Sequence, residues 1–152
     1  MGLSDGQEWG IVPIRRKMPN SIMAGDPPGR AFMITVLLAD DLEEYRVLLR
    51  KMLEMDGRFS VVGEAPDGNT AVRLARETDP DVVLLDIAMP EMDGLEAIPR
   101  IREVAPRSRV VMLSGFGEEV MSDKSLRLGA HAYVVKGHMT DDLVRTLTSV
   151  CP

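Results

Sequence analysis

At 152 residues the chain is long enough for one domain with a proper core, and 45% apolar residues are ordinary for a soluble globular protein. A formal charge of −6 argues against a surface that grips nucleic-acid phosphates, which needs clustered Lys and Arg; no apolar run approaches the roughly 20 residues that span a bilayer. The single cysteine, Cys151, excludes an intramolecular disulfide, and no signal-peptide succession opens the chain, so the expected location is the cytoplasm. Residues 1–32 stand apart. Pro13, Pro19, Pro27, Pro28 and several glycines interrupt any period of 2 or 3.6, which predicts a flexible N-terminal extension or leader ahead of a folded domain over residues 33–152. The small basic cluster Arg15, Arg16 and Lys17 and the lone Trp9 belong to that solvated stretch.

From Met33 onward, short apolar runs alternate with stretches at helical period. The runs are 34–39, 59–63, 81–85, 109–113 and 132–135, and three are valine-rich, as suits strands buried on both faces. Leu42, Tyr45, Leu48, Leu49, Met52 and Leu53 recur at three- and four-residue steps and predict one face of a first helix. A second helix starts after Asp67 as N-cap and carries Ala71, Val72, Leu74 and Ala75; a third starts near Gly94 with Leu95, Ile98 and Ile101, where Pro99 is expected to remove one backbone bond and bend the first turns. A fourth covers about 118–128 and stops at Gly129, and a fifth covers about 140–150 with Leu143, Val144, Leu147 and Val150 inward. Alternating strands and helices of this kind imply an α/β fold, a doubly wound parallel sheet between two helix layers.

Ligands of an open parallel sheet bind beyond the carboxyl ends of its strands. Those ends are Asp40 and Asp41 on the first run, Asp86 on the third, Ser114 on the fourth and Lys136 on the fifth. Each alone reads as a helix cap, a turn residue or a surface lysine; together they converge on one mouth. Three carboxylates at close range repel by several kcal/mol at an effective dielectric of about 20, so the cluster calls for a cation. Oxygen ligands without Cys or His select a hard ion, and few carboxylates with room for water suit Mg²⁺. A cation, a fixed ammonium and a hydroxyl around a carboxylate nucleophile are the requirements of phosphoryl transfer. His131 and His138 lack partners at metal spacing and read as surface residues.

At this point residues 33–150 resemble the receiver domain of two-component response regulators. VLLADD (36–41) resembles the family's acidic pair, LLDIAMPEMDGLEA (84–97) its phosphoacceptor strand and loop, VVMLSG (110–115) its hydroxyl strand, and GAHAYVVKG (129–137) its aromatic-plus-lysine strand. The resemblance implies a flavodoxin-like (βα)5 sheet in strand order 2-1-3-4-5. It further implies that a sensor histidine kinase phosphorylates Asp86, with Asp41 and the Ala88 carbonyl joining it on Mg²⁺, Asp40 acting mainly through water, and Lys136 contacting the phosphoryl oxygens. Ser114 and Tyr133 would then switch the face made by the fourth helix, fifth strand and fifth helix, a change compatible with homodimer formation on phosphorylation. The implied protein is a signalling switch rather than an enzyme, without membrane contact. VVGEAPDG (61–68) is closest in style to receivers that precede a helix-turn-helix DNA-binding domain; residues 33–152 are expected to hold the receiver alone, either cut from a transcription factor or stand-alone. Gly137 stands where many members have a proline, so no cis peptide is expected there; Ala88 has no side chain to reach the pocket, while Phe116 can shield it.

Three other readings compete. Gly63 to Thr70 nearly matches a phosphate-cradling G-x-x-x-x-G-K-[ST] loop, but Asn69 replaces the lysine and Asp67 adds the wrong sign. A haloacid-dehalogenase-like phosphatase wants a second Asp two residues after the nucleophile, where Ala88 stands. A receiver-shaped interaction module without phosphate chemistry would not need the intact acidic pair, Asp86 and Lys136.

Overall fold

The computed structural model describes residues 33–115, 119–136 and 139–151. The expectations for residues 1–32, Phe116, Gly137 and His138 therefore lie outside the described residues. Strands β1 (Ile34–Ala39), β2 (Phe59–Ala65), β3 (Val82–Asp86), β4 (Arg109–Ser114) and β5 (Ala132–Val135) alternate with helices α1 (Glu43–Asp56), α2 (Gly68–Thr78), α3 (Gly94–Val104), α4 (Glu119–Leu128) and α5 (Met139–Val150). All four strand pairings are parallel, and the order is β2-β1-β3-β4-β5. The α/β/α sandwich and its strand order are those expected.

Side-chain alternation along the strands divides the core in two. Val36, Leu38, Val82, Leu84, Val111, Leu113 and Val134 pack with Leu49 and Leu53 of α1 and Leu143 and Leu147 of α5. Leu37, Ala39, Val83, Leu85, Val110 and Met112 pack on the other face with Ala71 and Ala75 of α2 and Ala97, Ile98 and Ile101 of α3. Because each strand supplies both faces, its sequence reads as a continuous apolar run. The first helix differs from its predicted stripe: Leu42 precedes the helix and Leu48 lies on its outer shoulder, both more than half exposed, so Leu49 and Leu53 carry the burial with Tyr45 and Met52 beside them.

The helix starts follow local chemistry. The Asp67 side chain accepts from the Thr70 amide at 2.7 Å and caps α2. Asp93 caps α3 within a reciprocal box, accepting from the Glu96 amide at 2.8 Å while its own amide donates to the Glu96 carboxylate at 3.2 Å. Helix α3 continues through the exposed Pro99 to Val104, so the imino acid forgoes a bond without ending the helix. Gly129, at φ +117, ends α4 as predicted. Asp93→Ala should lower stability by about 1 kcal/mol in a urea melt, and an unchanged midpoint would show that the cap contributes nothing.

The Gly63 to Thr70 stretch has no phosphate cradle. Gly63 sits inside β2, paired with Leu37, and two of the amides that open α2 are already spent: Gly68 donates to the Met92 carbonyl at 3.1 Å and Thr70 to Asp67. No helix among the described residues is long and apolar enough to cross a membrane.

Candidate functional site

Register places the acidic cluster. Ala39 pairs with Leu85, so the residues that follow, Asp40 and Asp86, emerge side by side from the two central strands. Ser114 pairs with Val135, which sets Lys136 one step beyond the tip of β4. Alternation then sorts the side chains: Asp86 continues the face of Val82 and Leu84, and Lys136 that of Val134, toward α1 and α5. Ser114 continues the face of Val110 and Met112, where Tyr133 also packs. Asp40, Asp86 and Lys136 thus share one side of the sheet, while Ser114 and Tyr133 share the other.

Carboxylate oxygens of Asp40, Asp41 and Asp86 lie within 4.8 Å of one another, with Asp40 and Asp86 buried and Asp41 exposed. The Lys136 ammonium is 2.8 Å from Asp40 and 3.5 Å from Asp86. Both Asp40 oxygens are engaged, one by Lys136 and the other by the Leu42 amide at 2.9 Å. Burial, the Asp40 charge and the Asp41 charge push the Asp86 carboxyl up to about 6, against the opposing pull of Lys136. One ammonium therefore does not neutralise the cluster. The donor set is all oxygen, two buried carboxylates and one open to water, and it fits a hard divalent ion such as Mg²⁺ better than a thiolate- or imidazole-seeking metal.

The loop after β3 is held close. The Gly94 amide donates to the Ile87 carbonyl at 2.7 Å, and a Cβ at residue 94 would fall on the Asp86 carbonyl oxygen, so only glycine fits there. Ala88 lies exposed in this loop, two residues beyond Asp86. Ser114 is buried at the tip of β4 and Tyr133 is half-buried on β5.

Several members of the site gave no signal of function in the sequence. Arg46 donates to the Asp40 carbonyl and pairs with Glu64 at 3.0 Å, and Arg50 pairs with the same Glu64 at 2.7 Å. Tyr45, which read only as part of an apolar stripe, places its ring centroid 4.2 Å from the Lys136 nitrogen. Burial and the nearby Asp40 and Asp86 charges push its phenol up to about 12. Arginines and a tyrosine spaced along a helix are normally surface and core residues, and only the three-dimensional packing brings these to the acidic mouth.

Comparison with known proteins agrees with this architecture. Residues 36–148 match the response regulator receiver domain model. The chain is 37% identical over 115 residues to the chemotaxis protein CheY of Listeria monocytogenes, covering 76% of this chain and 96% of that protein. It is 36% identical over 115 residues to the transcriptional regulatory protein YdfI of Bacillus subtilis, but there covers only 54% of the relative's length against 76% of its own. The signal receiver domain of the NarL response regulator from Mycobacterium tuberculosis superposes with a TM-score of 0.74 at 30% identity, over 78% of this chain and 96% of that one. With the sheet order, the acidic cluster and these matches in agreement, the chain belongs to the response regulator receiver family, whose members are signalling switches.

Proposed function

We propose that this receiver is a Mg²⁺-dependent phosphoacceptor and that Asp86 takes the phosphoryl group. The observation that carries the reading is the trio of carboxylates within 4.8 Å, with an ammonium reaching two of them. Asp41, Asp86 and the Ala88 backbone carbonyl would hold Mg²⁺, with Asp40 acting through water because both of its oxygens are already bonded. Bound there, the ion supplies positive charge that offsets the carboxylates and the incoming phosphoryl oxygens.

The Asp86 carboxylate attacks phosphorus, a P–O bond forms, and the bond to the donor breaks with its electron pair leaving on the donor. For a sensor histidine kinase that donor atom is an imidazole nitrogen, which recovers neutrality by taking a proton. Lys136 stands where it can meet one phosphoryl oxygen. Ser114, at the tip of the neighbouring strand, is the hydroxyl that turns toward the new phosphate, and Tyr133 on the same face fills the space that opens. The readout is a population shift of the surface formed by α4, β5 and α5, where Val120 and Leu126 are already exposed and a homodimer can form. This makes the chain a switch that promotes only the phosphorylation and dephosphorylation of its own Asp86.

For the output we favour transcription, through a DNA-binding domain outside this chain, because the relative YdfI is a transcriptional regulatory protein of about twice the matched length. A stand-alone role is the second reading, supported by CheY, which the chain covers almost entirely. The net charge of −6 fits a segment that does not itself contact nucleic acid, and the cytoplasm is the compartment we assign.

Incubation with acetyl phosphate and Mg²⁺ should add one phosphoryl group by intact-mass spectrometry, a chelator should suppress it, and Asp86→Asn should abolish it. Undiminished labelling of Asp86→Asn would refute the assignment.

A further inference from the structure

We propose that Tyr45 is a positioning residue for Lys136: the face of its ring holds the ammonium against Asp40 and Asp86, where it can meet the incoming phosphoryl group. The inference rests on the phosphoacceptor reading given above.

The Lys136 nitrogen lies 4.2 Å from the Tyr45 ring centroid, within the range where an electron-rich ring face attracts a cation. The same nitrogen reaches Asp40 at 2.8 Å and Asp86 at 3.5 Å, so one ammonium is shared between the ring and both carboxylates. A lysine on a flexible four-carbon stem needs such confinement. Its side chain is 21% exposed, which leaves a route to solvent, and the exposed Glu43 and Glu44 on the first turn of α1 offer other carboxylates.

The ring itself is well fixed. It sits in the first turn of α1, and that turn is tied to the acidic cluster at two points: the Leu42 amide donates to the Asp40 carboxylate at 2.9 Å, and the Arg46 guanidinium donates to the Asp40 carbonyl. Arg46 is held in turn by Glu64, itself clamped by Arg50. The helix therefore positions the ring relative to the very carboxylate that Lys136 binds. Packing alone would not demand an aromatic, because the buried positions further along the stripe, Leu49 and Leu53, are filled by leucine. What leucine cannot offer at residue 45 is a negative face toward a cation.

The test uses the full chain carrying Tyr45→Leu, Tyr45→Phe or pentafluorophenylalanine at residue 45, with acetyl phosphate and Mg²⁺ as probes. Phosphoryl uptake should slow about fivefold or more in Tyr45→Leu and stay within about twofold of wild type in Tyr45→Phe. The pentafluoro ring keeps the shape but reverses the ring electrostatics, and should be as slow as leucine. NMR of the unphosphorylated protein supplies a second readout: the ring-current shift of the Lys136 ε-methylene should be lost in Tyr45→Leu and kept in Tyr45→Phe. Leucine equal to wild type overturns the inference. So does phenylalanine as slow as leucine, which would assign the effect to the hydroxyl, or a pentafluoro ring as fast as phenylalanine, which would leave only shape. Wild-type protein that takes no phosphoryl group overturns the phosphoacceptor reading instead, and the Lys136 resonances then decide alone whether the ring holds the amine.

Discussion

Lys136→Ala should lower the stability of the metal-free protein near neutral pH by about 2–4 kcal/mol, and Mg²⁺ should restore most of the loss. The substitution removes the cation that pairs with both the Asp40 and the Asp86 carboxylates, whose side chains are 2% and 8% exposed. Removing one partner of a buried ion pair costs about 3–5 kcal/mol because the other charge is left behind. The lysine retains some contact with water, which places the expectation toward the lower end. For a domain of this size the change corresponds to a fall in Tm of about 10 °C, measurable by thermal denaturation in the presence of a chelator. Metal titration supplies the second arm. With a competing positive charge gone, Mg²⁺ should bind the variant more tightly than wild type, and the stabilisation at saturating metal should be larger. A variant as stable as wild type without metal would show that the ion pair does not hold the site together.

Much of this arrangement is written in the chain as strand ends. A parallel strand buried on both faces is a solid apolar run, and the first polar residue after it must lie at the carboxyl edge; Asp40, Asp86 and Lys136 could be placed by that logic alone. Boundaries were legible where composition changes abruptly, as at Gly129, and less so where a charge is neutralised from afar. Strand β2 runs two residues beyond the predicted Gly63 to Ala65, because Glu64 is paired with Arg46 and Arg50 and so can stay in the sheet. Strand β3 begins at Val82 and not Asp81, since the Asp81 carboxylate is engaged by the amide and hydroxyl of Thr35 at 2.9 and 3.0 Å. Leu48 misled for a different reason: an apolar residue at helical spacing can belong to an outward ridge, and periodicity does not say where the buried stripe ends. Tyr45 and Arg46 were invisible as site residues because their partners lie outside their own helix, Lys136 just beyond β5, the Asp40 carbonyl just beyond β1 and Glu64 in β2, and no spacing within one helix encodes that.

Replacing Asp86 by asparagine should stabilise the metal-free protein above about pH 6, and the gain should vanish as the pH falls. The sign follows from the direction of the shift. The folded-state carboxyl titrates at about 6 against an ordinary value of 3.8, so between these values the folded protein holds a proton that the unfolded chain has released. Stability then falls as pH rises through that window, and above it the full cost of an ionised Asp86 is present, about 3 kcal/mol for roughly two pH units. Below about pH 4 both states are protonated and the cost disappears. Asparagine carries no such proton, so its advantage over aspartate should grow from about pH 4 to 6 and stay level above, in urea melts with chelator present. Saturating Mg²⁺ at neutral pH should narrow or reverse the difference, because on the proposed reading the ion would relieve the repulsion in wild type and would lose a ligand in the variant. An advantage independent of pH would mean that Asp86 ionises at no cost, and the acidic mouth would then hold no stored repulsion for a cation or a phosphoryl group to release.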